Sequence, residues 1–134
     1  MTRATSDNPV RGVLGIMQED GRLLLIQRSR SVRVPLAWCF PGGTMEPGET
    51  QEATLTREMC EELSLTVQPD RHLLTQTKHD GRLILYCWLA TIINGPPVAD
   101  PREVADLAWL TPEEIRVKEG VLPGTTAILD AIAS

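Results

Sequence analysis

Three glutamates near the middle of the chain have the residue type and the spacing to bind a divalent cation. Glu58, Glu61 and Glu62 stand at i, i+3 and i+4. In a helix this spacing stacks their carboxylates on one face, about 5–6 Å apart, where each like-charged pair costs roughly 0.2–0.5 kcal/mol. Arg57 is the local counter-charge. Hard oxygen ligands short of positive charge suit Mg²⁺ or Mn²⁺, but a solvated acidic face is the commoner cause of this pattern.

The residues around these glutamates predict the helix that must position them. Thr50 is a good N-cap, and Gln51 and Glu52 place polar and acidic groups in the first turn. Neither proline nor glycine follows until well past Glu62. At about 100° per residue an apolar face forms opposite the glutamates, with Leu55 at its edge. The residues of that face are Ala53, Thr56, Met59, Cys60 and Leu63.

The segment before the helix predicts a glycine-rich loop. It contains Pro41-Gly42-Gly43 and Pro47-Gly48, and Glu49 closes it just before the N-cap. Glycine lets backbone N–H groups approach phosphate oxygens and permits a positive φ. A loop of this kind that runs into an acidic helix can hold a phosphate chain and the metal that neutralises it. The combination favours a site for metal and phosphate over a solvated helix face.

Residues 43–65 resemble the Nudix box, whose pattern is G-x5-E-x7-R-E-U-x-E-E-x-G-U, where U is a bulky aliphatic residue. Six fixed residue types at set spacing arise by chance about once in 10⁷–10⁸ windows. The matching residues are Gly43, Glu49, Arg57, Glu58, Met59, Glu61, Glu62 and Leu65. The one departure is Ser64, which replaces the second glycine of the pattern.

Ser64 stands where a residue in the left-handed αL conformation commonly ends a helix. A serine in that conformation costs about 1 kcal/mol, unless the helix ends in a different way. Its side chain is not expected to bind the metal. We therefore expect Ser64 to affect stability and to leave activity intact.

The resemblance implies a fold and an activity. The family fold is α/β, a mixed β-sheet between helices in an α/β/α sandwich, here as one domain of residues 1–134 with 1–8 flexible. Family members hydrolyse compounds in which a nucleoside diphosphate is linked to another group. The chain is therefore expected to be a hydrolase that acts on acid anhydrides and uses Mg²⁺, with Mn²⁺ able to substitute.

The resemblance also implies how the metal is held. Glu58, Glu61 and Glu62 are expected to bind one to three Mg²⁺ ions, with Gly43 beside them, and to hold the pyrophosphate through the metal. The base that deprotonates the attacking water is Glu58, Glu62 or a further acidic residue, and family members differ on this. Glu103 fits the further position because it stands six residues before a tryptophan, and the alternatives are Asp100 or a solvated loop glutamate.

Further residues are expected to contact the substrate or to shape the site. Arg57 would pair with Glu49 and lock the loop onto the helix, and the backbone groups of Gly42 and Gly43 would face the phosphates. Arg28 ends a strand shortly before the glycines, and a similar arginine contacts substrate phosphates in some family members.

Weaker substrate contacts are predicted elsewhere. Phe40 either packs in the core, which is the more common role of a lone aromatic residue, or stacks on the base. Lys78, His79 and Arg82 flank a predicted turn and rank as weak contacts to phosphate or base, since most charges at hairpin ends are solvated.

The rest of the chain predicts a sheet and two further helices. Hairpin turns are indicated at Glu19-Asp20-Gly21 and at Asp80-Gly81. Thr111 is a good N-cap followed by proline, which predicts a short helix up to Gly120. The strand over 82–92 lacks a polar face and is expected in the centre of the sheet. The other predicted elements are strands over 10–17, 22–28, 37–40, 71–79 and 104–110 and a helix over 125–132.

Composition limits the partners. The net charge of −5 over 134 residues gives no basic surface for duplex nucleic acid. No stretch approaches the length of an apolar membrane span. The three cysteines, Cys39, Cys60 and Cys87, show no disulfide framework and no metal-binding spacing, so we expect reduced thiols in a cytoplasmic protein. The resemblance adds that relatives often form homodimers.

The substrate follows from the resemblance in less detail. The short chain, the WCFPGG segment and the DGRLILYCWL segment are similar to MutT-type enzymes, which hydrolyse (d)NTPs to NMP and pyrophosphate. Members that act on oxidised guanine read the base with an asparagine near the C-terminus, where this chain has Thr125 and Thr126. The alternatives are a hydrolase of ADP-ribose or of dinucleotide polyphosphates, and a Nudix-like domain that binds nucleotides without catalysis.

Overall fold

The computed structural model describes residues 3–134, so Met1 and Thr2, which belong to the predicted flexible segment 1–8, lie outside the described residues. Residues 3–9 form neither helix nor strand. None of the helices in the described range is long and apolar enough to cross a membrane. The elements in chain order are β1 (Val10–Glu19), β2 (Arg22–Arg28), β3 (Trp38–Cys39), β4 (Gly42–Thr44), α1 (Gln51–Leu63), β5 (Thr66–Lys78), β6 (Leu83–Asn94), β7 (Val104–Leu110), α2 (Pro112–Val117) and α3 (Thr125–Ala133).

The sheet is mixed and is built around β1. This strand pairs in parallel with β6 from Val10 to Met17 and antiparallel with β4 from Gly12 to Leu14. Its far end forms the hairpin with β2, and β2 pairs with β3 and β7. The antiparallel strand β5 lies beyond β6, which confirms the predicted interior position of β6.

Helices cover both faces of the sheet. Leu55, Met59 and Leu63 of α1 pack on one face with Val13 and Met17 of β1. On the other face, Ile115 of α2 and Ile128 and Leu129 of α3 pack with Ile16 and Phe40. Neighbouring residues of β1 therefore enter opposite cores, as the two-residue period of a strand requires. The predicted α/β/α sandwich is confirmed.

Local sequence signals account for several elements. Asp20 and Gly21 both have positive φ, 52° and 75°, and connect β1 to β2 in the predicted hairpin. Thr111 begins α2 with a complete capping box: its side chain accepts from the Glu114 N–H, and Glu114 accepts from the Thr111 N–H.

The glycine segment differs from the prediction of a loop. Gly42–Thr44 forms strand β4, because Gly42 can lie against β1 where no other residue fits. A Cβ atom on Gly42 would lie 2.0 Å from the Val13 carbonyl oxygen. The absence of a side chain thus allows strand pairing at this position.

The buried face of helix α1 also differs from the predicted one, which corresponds to a rotation of the helix about its own axis relative to the prediction. Ala53, Thr56 and Cys60, expected on the apolar face, are exposed. The bulky residues Leu55, Met59 and Leu63 lie at i, i+4 and i+8 and set the buried face instead. The buried residues of α1 are Thr54, Leu55, Glu58, Met59, Glu62 and Leu63. Two of the three glutamates therefore point towards the protein interior.

Candidate active site

A cleft of about 1100 Å³ runs across one end of the sheet. One end is acidic and is formed by α1 and by the loop before β7. The other end is mainly apolar and lies between β5, β6 and the start of α3. The residues that line it include Arg28, Phe40, Gly42, Gly43, Arg57, Glu58, Glu61, Glu62, Gln76, Lys78, His79, Glu103, Leu122, Pro123 and Gly124.

Arg57 fastens the segment before α1 to the helix. Its Nε and Nη2 donate to the two carboxylate oxygens of Glu49 at 2.7 and 2.8 Å, and Nη2 also donates to the Thr44 carbonyl at 3.0 Å. Its Nη1 donates to Glu58 at 2.8 Å and to Glu61 at 3.2 Å. Hydrogen bonds from Arg57 and from the Glu46 N–H lower the pKa of Glu49 to about 2. The predicted Arg57–Glu49 pair is present in the structure.

Three carboxylates converge at the acidic end, but they are not the three expected. Oxygen atoms of Glu58, Glu62 and Glu103 lie within 4.8 Å of one another. Glu58 is 9% exposed and Glu62 is 3% exposed, whereas the side chain of Glu61 is 58% exposed. Glu61 lines the rim of the cleft and bonds Arg57. The rotation of α1 accounts for this difference.

Glu62 is the most confined member of this acidic cluster of Glu58, Glu62 and Glu103. Burial, and then hydrogen bonding and repulsion from Glu58, raise the pKa of Glu62 to about 9. Burial and the charge of Glu58 also raise the pKa of Glu103. In each case these effects on the negative carboxylate outweigh the opposing positive charge, that of Arg28 at Glu62 and that of Arg102 at Glu103.

The donor set of the acidic cluster fits a divalent cation. Oε2 of Glu62 is buried and has no hydrogen-bond partner among the described residues, and such an atom is costly unless a ligand occupies it. Gly43 leaves room for the Glu58 carboxylate, because a Cβ atom at Gly43 would lie 2.2 Å from Cδ of Glu58. Carboxylate oxygens are the ligands that Mg²⁺ prefers.

The structure separates the two acidic candidates in the loop before β7. Asp100 forms an ion pair with Arg102 at 2.8 Å, and this bond lowers its pKa. Glu103 instead joins Glu58 and Glu62 at the cleft. Of the two, Glu103 is placed where the sequence predicted a further metal ligand or base.

The predicted substrate contacts are divided between the cleft and the surface. Arg28 lines the cleft, and its charge opposes the rise in the pKa of Glu62. Phe40 also borders the cleft but is 2% exposed and packs in the core below α3, so little of its ring is free to stack on a base. Arg82 is misplaced in the prediction: it lies outside the lining formed by the described residues, where its Nε donates to the His79 carbonyl within the turn.

Gln76 and Gly124 at the apolar end were missed by the sequence analysis. Gln76 donates to the Gly124 carbonyl at 2.8 Å, and Lys78 donates to the Pro123 carbonyl at 2.7 Å. Gly124 has a φ of 99°, and a Cβ there would lie 2.6 Å from Lys78 Nζ. A glycine before a predicted helix was the one local signal available. Nothing local to Gln76 distinguishes it from the other polar residues of β5.

Comparison with known proteins gives consistent matches. A family model described as the NUDIX domain matches residues 7–130. The chain is 31% identical over 121 residues to the CTP pyrophosphohydrolase of Escherichia coli K12, covering 89% of this chain and 87% of that protein. It is 33% identical over 116 residues to the nucleoside triphosphatase NudI of Escherichia coli O17:K52:H18, with 77% and 82% covered. The crystal structure of a MutT NUDIX hydrolase from Burkholderia pseudomallei superposes with a TM-score of 0.83 at 25% identity, covering 92% and 98% of the two chains.

Proposed function

The chain belongs to the Nudix family of hydrolases, which act on nucleoside diphosphate-linked substrates, and we propose that it is a Mg²⁺-dependent (d)NTP pyrophosphohydrolase that releases NMP and pyrophosphate. The acidic cluster carries the proposal, because the buried Glu62 oxygen without a hydrogen-bond partner among the described residues and the two neighbouring carboxylates are a donor set that suits a divalent cation. The similarity to a CTP pyrophosphohydrolase and to a nucleoside triphosphatase supports the substrate class.

Glu58, Glu62 and Glu103 would hold the Mg²⁺, and Glu61 would join them from the rim of the cleft. A bound Mg²⁺ supplies positive charge to the phosphate oxygens and lowers the pKa of coordinated water. Mn²⁺ offers similar chemistry to the same oxygen ligands. The Gly43 backbone lies against Glu58, and the absence of a Cβ atom there leaves room for the Glu58 carboxylate.

The remaining residues orient the substrate and move a proton. Arg28 provides a cation beside the acidic cluster for the phosphate chain. The attacking water gives its proton to a carboxylate of the cluster as it bonds to one of the two phosphorus atoms that flank the oxygen bridging the α- and β-phosphates, and the bond from that phosphorus to the bridging oxygen breaks. The bridging oxygen leaves with the electron pair of that bond on the other product, so that NMP and pyrophosphate are released. Arg57 keeps Glu58 and Glu61 in place throughout.

The apolar end of the cleft is proposed to hold the nucleoside. Gln76 and Lys78 lie there among apolar side chains, with donors that can turn from the backbone carbonyls of Pro123 and Gly124 to a base. The chain has threonines where the asparagine that reads oxidised guanine is expected, so we propose ordinary nucleoside triphosphates as substrates.

The test is a substrate panel in Mg²⁺ that contains the common NTPs and dNTPs, 8-oxo-dGTP, ADP-ribose and a diadenosine polyphosphate. The proposal expects pyrophosphate and NMP from at least one triphosphate, and a loss of that activity in the Glu62→Gln variant prepared in the same way. Turnover of ADP-ribose or of the dinucleotide alone would contradict the substrate class. A lack of turnover on every compound would favour a binding domain.

We further propose a cytoplasmic protein that forms a homodimer and has neither duplex nucleic acid nor membrane as a partner. The net charge of −5 supports the exclusion of duplex nucleic acid. Light scattering of the purified chain tests the dimer, which requires twice the mass of the single chain.

A further inference from the structure

Ser29 holds the backbone on both sides of the Glu103 α-carbon. It directly follows β2 and is 4% exposed. Its N–H donates to the Glu103 carbonyl at 3.0 Å, and its Oγ donates to the Arg102 carbonyl at 2.8 Å. One buried residue thus fixes two successive carbonyl groups of the loop that carries Glu103.

A β-bulge next to this contact sets the direction in which the loop leaves β7. Gln27 is paired with Asp106, but Arg28 is paired with Val104, so Ala105 is one residue in excess. Val104 is consequently buried in the core below α1. Bulges commonly re-aim side chains beside active sites. Here the shifted register brings Glu103 level with Ser29, at the edge of the cleft.

The same loop is tied to the end of α1. The Asp100 N–H donates to the Glu62 carbonyl at 2.8 Å, and the Val98 N–H donates to the Leu63 carbonyl at 2.8 Å. The loop that carries Glu103 is therefore held by hydrogen bonds at two points, to the end of α1 and to Ser29. Both points of attachment matter, because the Glu103 carboxylate lies close to the negative charge of Glu58.

We infer that Ser29 is a positioning residue that holds Glu103 beside Glu58 and Glu62 against the repulsion of the Glu58 carboxylate, so that the acidic cluster is assembled before the cation arrives. The inference rests on the proposed function, because it takes Glu103 to be a ligand of the divalent cation. Ser31 contributes less, since its Oγ is 3.2 Å from the same Arg102 carbonyl and the residue is exposed.

The test measures Mn²⁺ binding to the full chain by electron paramagnetic resonance, without substrate. Ser29→Ala removes the hydroxyl that donates to the Arg102 carbonyl and that also bonds Ser31 Oγ and the Ser31 N–H, and it leaves the backbone bond to Glu103. Mn²⁺ affinity should therefore fall about three- to tenfold. Ser31→Ala is the matched control from the same loop and should change the affinity less than twofold. The double variant should bind Mn²⁺ more weakly than either single variant. Circular dichroism checks that each variant is folded.

A double-mutant cycle separates positioning from general weakening of the fold. In a Glu103→Gln background, Ser29→Ala should cause no further loss of Mn²⁺ affinity, because the ligand that it positions has gone. An equal loss in both backgrounds would overturn the inference, and so would an unchanged affinity in Ser29→Ala alone.

The role of Ser29 in Mn²⁺ binding and the proposed substrate class can fail independently of each other. If the wild-type chain binds Mn²⁺ but turns over no nucleoside triphosphate, the proposed substrate fails and the Ser29 comparison is still decided by the Mn²⁺ affinities. If the wild-type chain binds no Mn²⁺, the positioning role and the metal site are both overturned.

Discussion

Two groups of charged residues around α1 differ in how well their charges are compensated. Around Arg57 the charges are matched: the guanidinium makes five hydrogen bonds, and the pKa of Glu49 falls to about 2. Around Glu62 they are unmatched: an oxygen is buried without a partner among the described residues, and the pKa rises to about 9. The two groups meet at Glu58, which belongs to both.

The difference indicates which charges serve the fold and which await a ligand. A matched pair stabilises the metal-free protein, whereas an uncompensated buried carboxylate destabilises it. Arg57 and Glu49 therefore position the helix, and Glu58, Glu62 and Glu103 form the part of the site that is complete only with a cation. Substitutions in the two groups should change stability in opposite directions.

The largest effect is expected for Glu62→Gln. Turnover should fall at least about 100-fold, because a proposed metal ligand is lost. The metal-free protein should gain at least about 1 kcal/mol at pH 8, because folding must protonate Glu62, whose pKa rises to about 9, whereas a neutral amide needs no proton. Steady-state kinetics and urea unfolding in EDTA measure the two quantities. A less stable variant would break the contrast between the two groups.

Arg57→Lys should affect activity less and stability with the opposite sign. Lysine lacks the planar fork that bonds both oxygens of Glu49 and reaches Glu58 and Glu61 at once. We expect the free energy of unfolding to fall by about 2 kcal/mol and turnover to fall about 10- to 100-fold. The same unfolding assay serves as the measurement. Full stability with reduced turnover would give Arg57 a role in the chemistry alone.

Glu61→Gln tests whether the exposed glutamate belongs with the buried ones. Its carboxylate lies on the cleft rim and bonds Arg57 at 3.2 Å. Turnover should fall about tenfold, while the free energy of unfolding should change by less than about 0.5 kcal/mol. Activity equal to wild type would remove Glu61 from the proposed metal site. A loss of turnover as large as that of Glu62→Gln would show that the burial of a glutamate does not predict how much it contributes to the metal site.

Ser64→Gly should have the smallest effect. Ser64 ends α1 in the αL conformation with a φ of 54°, while its N–H donates to the Cys60 carbonyl. Glycine removes a steric cost of about 1 kcal/mol but adds freedom to the unfolded chain, so the net gain should be about 0.5 kcal/mol. Activity should not change. Thermal unfolding with parallel kinetics checks both, and a stability loss would contradict the predicted strain.

The sequence predicted the elements of this fold better than their orientation. Turn residues such as Asp20-Gly21 and the Thr111 cap are local signals, and they placed their elements correctly. The face of α1 was misjudged because Ala53, Thr56 and Cys60 are small and weakly apolar, so they do not define a buried stripe. The spacing of Leu55, Met59 and Leu63 carries that information.

The site was predictable where the residues are close in sequence. The expected Arg57–Glu49 pair is present, because both residues belong to one motif. The contact of Gln76 with Gly124 depends on how β5 lies beside α3, which no local pattern encodes. The grouping of Glu103, rather than Glu61, with Glu58 and Glu62 likewise follows from the rotation of α1 and from the bulge in β7.

Calorimetric titration of Mg²⁺ at pH 7, in buffers of different ionisation enthalpy, measures whether a divalent cation binds the acidic cluster and displaces a proton from Glu62. With its pKa raised to about 9, Glu62 carries a proton in the metal-free protein. Its protonated form stabilises the fold below the ordinary glutamate pKa, and this contribution is lost as the pH rises through about 9. Mg²⁺ binding should therefore release about one proton in the wild-type chain and none in Glu62→Gln. Absence of Mg²⁺ binding would contradict the account. So would Mg²⁺ binding that releases no proton and is unchanged in Glu62→Gln.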